Sequence, residues 1–182
     1  MKMILILVAL VCSLPGMAQQ EAIREGNAAY RSGDWTYAET QYRRAGNHPL
    51  AQYNLASALI RQNRYDEALA VLAPLTTPGV DASLRSKSWY NMGVVYTRQK
   101  ALEQSIEAYK SALRLAPYDK QARENLQKAL LELKQNSGGG GSSNDKNDSD
   151  ADRKLKQLQD KERKLQQSKK APGGGDQPNK DW

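Results

Sequence analysis

One histidine, one cysteine and a run of four glycines are the residues whose types could do chemistry by themselves. His48 stands directly before Pro49, and general acid–base work needs a second group to orient the imidazole. No such partner is in view, so His48 reads as a solvent-facing turn residue. Cys12 is the only cysteine and lies in the amino-terminal segment expected to be removed, so no disulfide and no thiolate metal site is expected in the mature chain. The run Gly138 to Gly141 leads into Ser, Asn and Asp and lacks the Gly-Lys-Ser/Thr ending with which a glycine loop holds phosphate. The expectation is therefore no enzyme, no metal and no cofactor. The net charge of +7 is spread over interspersed charges of both signs, not the concentrated basic field of a nucleic-acid binder. What remains is recognition by tyrosine, asparagine and arginine, and the elements that carry those residues must be found.

The amino-terminal stretch is set aside first. Lys2, an apolar run from Met3 to Cys12, and small residues at Gly16 and Ala18 have the pattern of a secretory signal peptide, 1–18, cleaved after Ala18. The run is about half of the roughly 20 apolar residues a membrane span needs, which leaves a retained anchor as the lesser alternative. Lipid attachment at Cys12 is weaker still, because Val11 precedes it where a small residue is wanted. The expected location is periplasmic, at most peripheral to the inner membrane.

The positioning elements are repeats. Trp89, Met92, Gly93 and Tyr96, then Ile106, Tyr109 and Ala112, place apolar residues three or four apart over two windows, the pattern of two amphipathic helices closed by Pro117. The same order runs through Gly26, Tyr30, Gly33-Asp34-Trp35, Ala38, Tyr42 and Ala45. It returns as Leu55, Ala56, Leu59, Tyr65, Ala68, Leu72 and Leu75. Small residues at 26, 56 and 93 let paired helices approach, and Tyr42, Leu72 and Tyr109 fill the space beside them. Beyond Pro117, Asp119 is a helix cap, and Ala122, Leu126, Ala129, Leu130 and Leu133 form one apolar stripe, as a closing helix requires.

This order resembles the tetratricopeptide repeat (TPR) family, whose unit has Trp, Leu-Gly and Tyr on its first helix, Ala and an aromatic on its second, and Pro at its end. The resemblance implies an all-α fold, a helix-turn-helix superhelix of three repeats (about 19–48, 49–85 and 86–119) plus a capping helix at 120–135. The spacing departs from the family period of 34: Ala38 to Ala68 is shorter, around His48-Pro49, and Ala68 to Ser105 is longer, through Ala73 to Asp81 with Pro74, Pro78 and Gly79.

In this family the first helices line a groove. Carried over, that places Asn27, Tyr30 and Arg31, then Tyr53, Asn54, Ser57 and Arg61, then Lys87, Tyr90, Asn91, Val94 and Arg98 on it. Tyrosines, amides and the equivalent Arg31, Arg61 and Arg98 suit a peptide with acidic groups, although arginines are also ordinary solvated helix ends. TPR domains that clamp a chaperone's terminal carboxylate use Lys and Asn, then Asn, then Lys and Arg. Asn27, Asn54 and Lys87 match, but Ile23 and Asn91 replace two of the cations, so half the grip is missing.

Residues 136–151 are rich in Gly, Ser, Asn and Asp and read as a flexible linker. Residues 152–170 are charged with only Leu155, Leu158 and Leu165 as large apolar residues, so a helix or coiled coil there is marginal alone. Residues 171–182 form a loose tail ending in Trp182, which is either an interface anchor or incidental. Signal, TPR units, linker, Lys161-Glu162-Arg163-Lys164-Leu165-Gln166 and Lys180-Asp181-Trp182 together resemble the TPR proteins of Bacteroides-type aerotolerance operons. That resemblance implies a non-catalytic envelope scaffold whose partners are other proteins, including membrane proteins with von Willebrand A domains. The rival reading is a protein of membrane surfaces or polyanions acting through Lys154, Lys156, Lys161, Arg163, Lys164, Lys169 and Lys170. No nucleic acid and no small-molecule substrate is expected.

Overall fold

The computed structural model describes residues 14–138 and the single residues 153, 156, 157, 160, 163 and 164. Residues 1–13, the linker after residue 138, most of the charged segment, the tail and Trp182 lie outside the described residues. Two units divide the chain, 1–129 and 130–182.

The first unit is helical throughout its described part, with seven helices beginning there: α1 (Leu14–Ser32), α2 (Trp35–Arg44), α3 (Pro49–Arg61), α4 (Tyr65–Leu72), α5 (Ala82–Arg98), α6 (Leu102–Leu115) and α7 (Lys120–Gly138). A 3-10 turn, Ala73–Thr76, extends α4. The helices pack as α1 with α2, α3 with α4 and α5 with α6, three hairpins in succession. In the second unit the last turns of α7 run to Gly138, and the described residues from 153 to 164 are helical, with Arg163 donating to Asp160 at 3.0 Å.

Each hairpin turns by the same device. Gly33, Asn63 and Lys100 all take positive φ, at 86°, 61° and 60°. In each case the next amide reaches five residues back to close the helix: Asp34 to Ala29, Arg64 to Leu59 and Ala101 to Tyr96. Glycine takes this conformation without cost, asparagine tolerates it, and lysine does so against its preference. Asp34 then caps α2 by accepting from the Tyr37 N–H, as Asp81 caps α5 and Asp119 caps α7. His48 is half-buried, and its Nδ1 accepts from the Leu50 N–H at 3.3 Å. Beyond the expectation of a solvent-facing turn residue, the side chain caps α3, whose N1 residue Pro49 has no N–H to satisfy.

The core lies where small meets large. Gly26 packs against Tyr42 so closely that a methyl group on it would stand 2.6 Å from Cε1 of the ring. Ala38, Ala68 and Ser105 are fully buried on the facing helices. Ala56, Leu72, Met92 and Ala108 join the second hairpin to the third, and Leu55, Leu59 and Val95 continue the core toward the first. Ala122, Leu126 and Ala129 of α7 are buried, as their stripe requires.

A buried carboxylate fixes the outer side of the first two hairpins. Glu39 takes Arg43 at 2.9 Å, the Arg64 guanidinium and the Gln62 amide at 2.9 Å, and Arg64 also binds Glu67. Burial pushes the Glu39 carboxyl up, but Gln62, Arg43 and Arg64 together outweigh it and hold it below its usual range.

Candidate peptide groove

The first helices of the three hairpins stand side by side and run the same way. Asn54 Nδ2 donates to Asn27 Oδ1 at 2.9 Å, and Arg61 Nε, further along α3, donates to the hydroxyl of Tyr30, further along α1, at 3.1 Å. Asn91 Nδ2 on α5 reaches Ser57 Oγ on α3 at 3.4 Å, and Asn125 Nδ2 on α7 donates to the Tyr90 hydroxyl at 3.1 Å. A ladder of amides therefore crosses the face that α1, α3, α5 and α7 share.

A cleft of about 410 Å³ opens on this face. Seven of the residues expected in the groove line it: Tyr30, Ser57, Arg61, Tyr90, Asn91, Val94 and Arg98. Trp35, Ile60, Asn63 and Tyr65 line it as well and were not expected. Trp35 is brought in by the Gly33 turn, and Asn63 and Tyr65 by the equivalent turn of the second hairpin, where Tyr65 donates to Asn63 at 2.8 Å. Equivalence of Trp35 and Tyr65, one residue after each cap position, was the signal that would have found them. Asn125 was also missed; it stands on α7 at the next step of the amide ladder.

The other expected residues stand apart from the cleft. Asn27 Oδ1 accepts from both the Tyr42 hydroxyl and Asn54, so this amide oxygen serves the hairpin. Tyr53 is half-buried, and burial raises its hydroxyl above the usual phenol value against a hydrogen bond with Asn91. Arg31 and Lys87 are exposed. Ile23 is buried with Ala22, Ala45 and Ala51, an apolar contact where a cation would be needed to grip a terminal carboxylate.

Arg61 is held in place before any ligand arrives. Its guanidinium carbon lies 6.0 Å from the Tyr30 ring centroid, and the Tyr30 hydroxyl bond raises its proton affinity. Tyr90 stacks on Tyr109 at 5.9 Å between centroids, tilted by 53°, so the cleft wall is backed by the core. The chemistry available is that of a partly apolar wall with two guanidinium groups and side-chain amides, able to seat a polypeptide and to hold its acidic groups. Among the described residues no three His, Cys, Asp or Glu side chains come together, and no helix is long and apolar enough to cross a membrane.

These hairpins are similar to tetratricopeptide repeats. Tetratricopeptide-repeat models match residues 23–75 and residues 86–119. The chain is similar to the TPR2AB domain of yeast Sti1, solved as a pHSP90 complex, at 24% identity and a TM-score of 0.62; the match covers 67% of this chain and spans half of that one. It is also similar to the second TPR domain of human RPAP3, solved with the HSP70 peptide SGPTIEEVD, at 26% identity, a TM-score of 0.57 and coverage of 63% and 97%. MamA of Desulfovibrio magneticus RS-1 matches at 22% identity and a TM-score of 0.59, covering 80% of this chain and 76% of its own. No curated protein matches the chain.

Proposed function

We propose that this protein is a non-catalytic adaptor that binds a partner polypeptide in the groove of its TPR hairpins and holds it in an assembly of the cell envelope. The observation that carries the reading is the cleft itself, in which Val94 and Ile60 lie beside Arg61, Arg98 and Asn91. Such a wall gives a peptide both apolar contact and charge-assisted hydrogen bonds, and large buried aromatics behind it keep it rigid. The complexes of the Sti1 and RPAP3 domains, solved on a similar fold, support a polypeptide-binding role.

The envelope location rests on the export pattern of Lys2 and the Met3 to Cys12 run. Membership of an aerotolerance-type membrane complex, with von Willebrand A proteins as partners, rests on the arrangement of repeats, linker, charged segment and Lys180-Asp181-Trp182. The groove is tested by capture of the partner. A photo-crosslinker at Val94 should capture the partner from envelope extract, and a chain with Arg31, Arg61 and Arg98 changed to Glu should lose it. Equal capture by both chains, or capture only by a crosslinker at the outer residue Tyr37, contradicts the groove assignment.

A further inference from the structure

Aromatic rings collect at one end of the cleft. Trp35 and Tyr65 are the first residues of α2 and α4, each one place after its helix's cap residue, and both line the cleft together with Tyr30. In the third hairpin the same place holds Leu102, which is buried, so only the first two hairpins present a ring from it. Two hydrogen bonds tie these hairpins together here. Gln62 Nε2 donates to the Trp35 carbonyl at 3.2 Å, and Arg61 Nε donates to the Tyr30 hydroxyl at 3.1 Å.

The rings offer surface more than hydrogen bonds. Each tyrosine hydroxyl at the cleft already has a partner in the chain: Tyr30 accepts from Arg61, Tyr65 donates to Asn63 at 2.8 Å, and Tyr90 accepts from Asn125 at 3.1 Å. Tyr30 and Tyr65 pack against the core behind them, whereas Trp35 is 36% exposed. Tryptophan is concentrated at binding hot spots, where its wide apolar face is covered on association.

The lining also narrows the guest. None of the eleven residues around the cleft is acidic, and Arg61 and Arg98 border it, so a lysine or arginine side chain is repelled. A small polar side chain meets hydroxyls that are already bonded. An aromatic side chain covers the open indole, and tilted ring pairs add attraction beyond the area they bury. At about 410 Å³ the cleft is near the lower end of ligand-pocket sizes, room for one ring and its neighbours.

Resting on the groove reading above, we propose that Trp35 and Tyr65 form an anchor subsite for one aromatic side chain of the bound polypeptide, beside the arginines that hold its acidic groups. The groove thereby selects segments in which a ring neighbours an acid, not acidic segments in general.

The test uses the full chain and synthetic peptides blocked at both ends, with two glutamates flanking one variable position filled by phenylalanine, leucine, alanine or lysine. Affinities are read by NMR from the amide shifts of Asn91 and Val94. The phenylalanine peptide should bind about tenfold tighter than the alanine peptide, the factor that partial burial of one such side chain gives, with leucine between them and lysine weakest. Trp35→Ala should shrink that preference to about twofold while leaving the alanine peptide within about twofold of its affinity for the parent. Tyr65→Leu, which keeps an apolar side chain against the core, should shrink the preference in part, and Arg98→Gln should weaken both peptides by the same factor. Thermal melting checks that each variant keeps the fold. Equal affinity for the phenylalanine and alanine peptides, or a Trp35→Ala chain that keeps the full preference or loses both peptides alike, overturns the anchor and leaves the groove reading standing. Absence of binding by every peptide overturns the anchor too, and crosslinking from Val94 then decides the groove reading by itself.

Discussion

A methyl group on Gly93 would stand 2.5 Å from Cε1 and 2.6 Å from Cδ1 of Tyr109, a ring that is itself 1% exposed. The first hairpin repeats the relationship in Gly26 and Tyr42, and the second alters both members at once, with Ala56 where glycine stands and Leu72 where tyrosine stands. Small-against-ring is thus one packing solution and alanine-against-leucine is the other.

Gly93→Ala should destabilise the chain by about 1–3 kcal/mol in urea unfolding, because the overpacking strain exceeds the roughly 1 kcal/mol of helix propensity that alanine gains. Adding Tyr109→Leu should recover part of that loss, giving a double variant more stable than the sum of the two single changes. Gly79→Ala, with nothing within 4 Å of the added methyl, should change stability by less than about 0.5 kcal/mol. A Gly93→Ala chain as stable as the parent would contradict the packing account.

Lys100 holds positive φ at the place where the first hairpin has Gly33. Lys100→Gly should raise stability by about 1 kcal/mol by removing left-handed strain, whereas Gly33→Lys should lower it by a similar amount. Thermal unfolding of the two variants reads both signs.

Glu39 governs the acid side of the stability curve. Its carboxyl is held below its usual range in the folded chain, so its contribution is fully present above about pH 4.5, its ordinary value, and is lost as pH falls through the lowered value. Glu39→Gln should cost about 1–2 kcal/mol at pH 7 and flatten the fall in stability below pH 4.5. Stability of the parent that does not decline below pH 4.5 would contradict the role of this cluster.

Tyr42 governs the alkaline side. Burial pushes its hydroxyl up to about 12, helped by Tyr30 and opposed by Arg31. The raised value means the contribution is intact below pH 10 and is lost between pH 10 and 12, a change on the order of 2 kcal/mol. Tyr42→Phe should cost about 1 kcal/mol at pH 7 through the lost bond to Asn27, and should weaken the alkaline transition measured by circular dichroism.

Much of this architecture is legible in the sequence because the packing rule is local. Gly26, Ala56 and Gly93 announce close helix pairs, and Tyr42, Leu72 and Tyr109 announce what fills them, at offsets that need no coordinates. Asp34 and Asp119 are readable as caps for the same reason. The groove is only partly legible. Tyr30, Arg61, Asn91 and Arg98 follow from the family resemblance, which puts the first helices on the groove, but Trp35 and Tyr65 reach the cleft through the turn geometry of Gly33 and Asn63, which a pattern of apolar residues does not carry. The engagement of Asn27 with Tyr42 and Asn54 depends on distances across two helices. His48 looked like a loop residue because only the placement of its Nδ1 beside the Leu50 amide reveals a cap.

The most direct test of the central claim is amide chemical-shift mapping of the isotopically labelled full chain during titration with a synthetic peptide bearing acidic side chains. The account predicts saturable shifts clustered at Tyr30, Ser57, Arg61, Tyr90, Asn91, Val94 and Arg98, with Arg43 and Glu67 on the outer side unmoved. Saturable shifts centred on Arg43 and Glu67, with the groove residues silent, would contradict it.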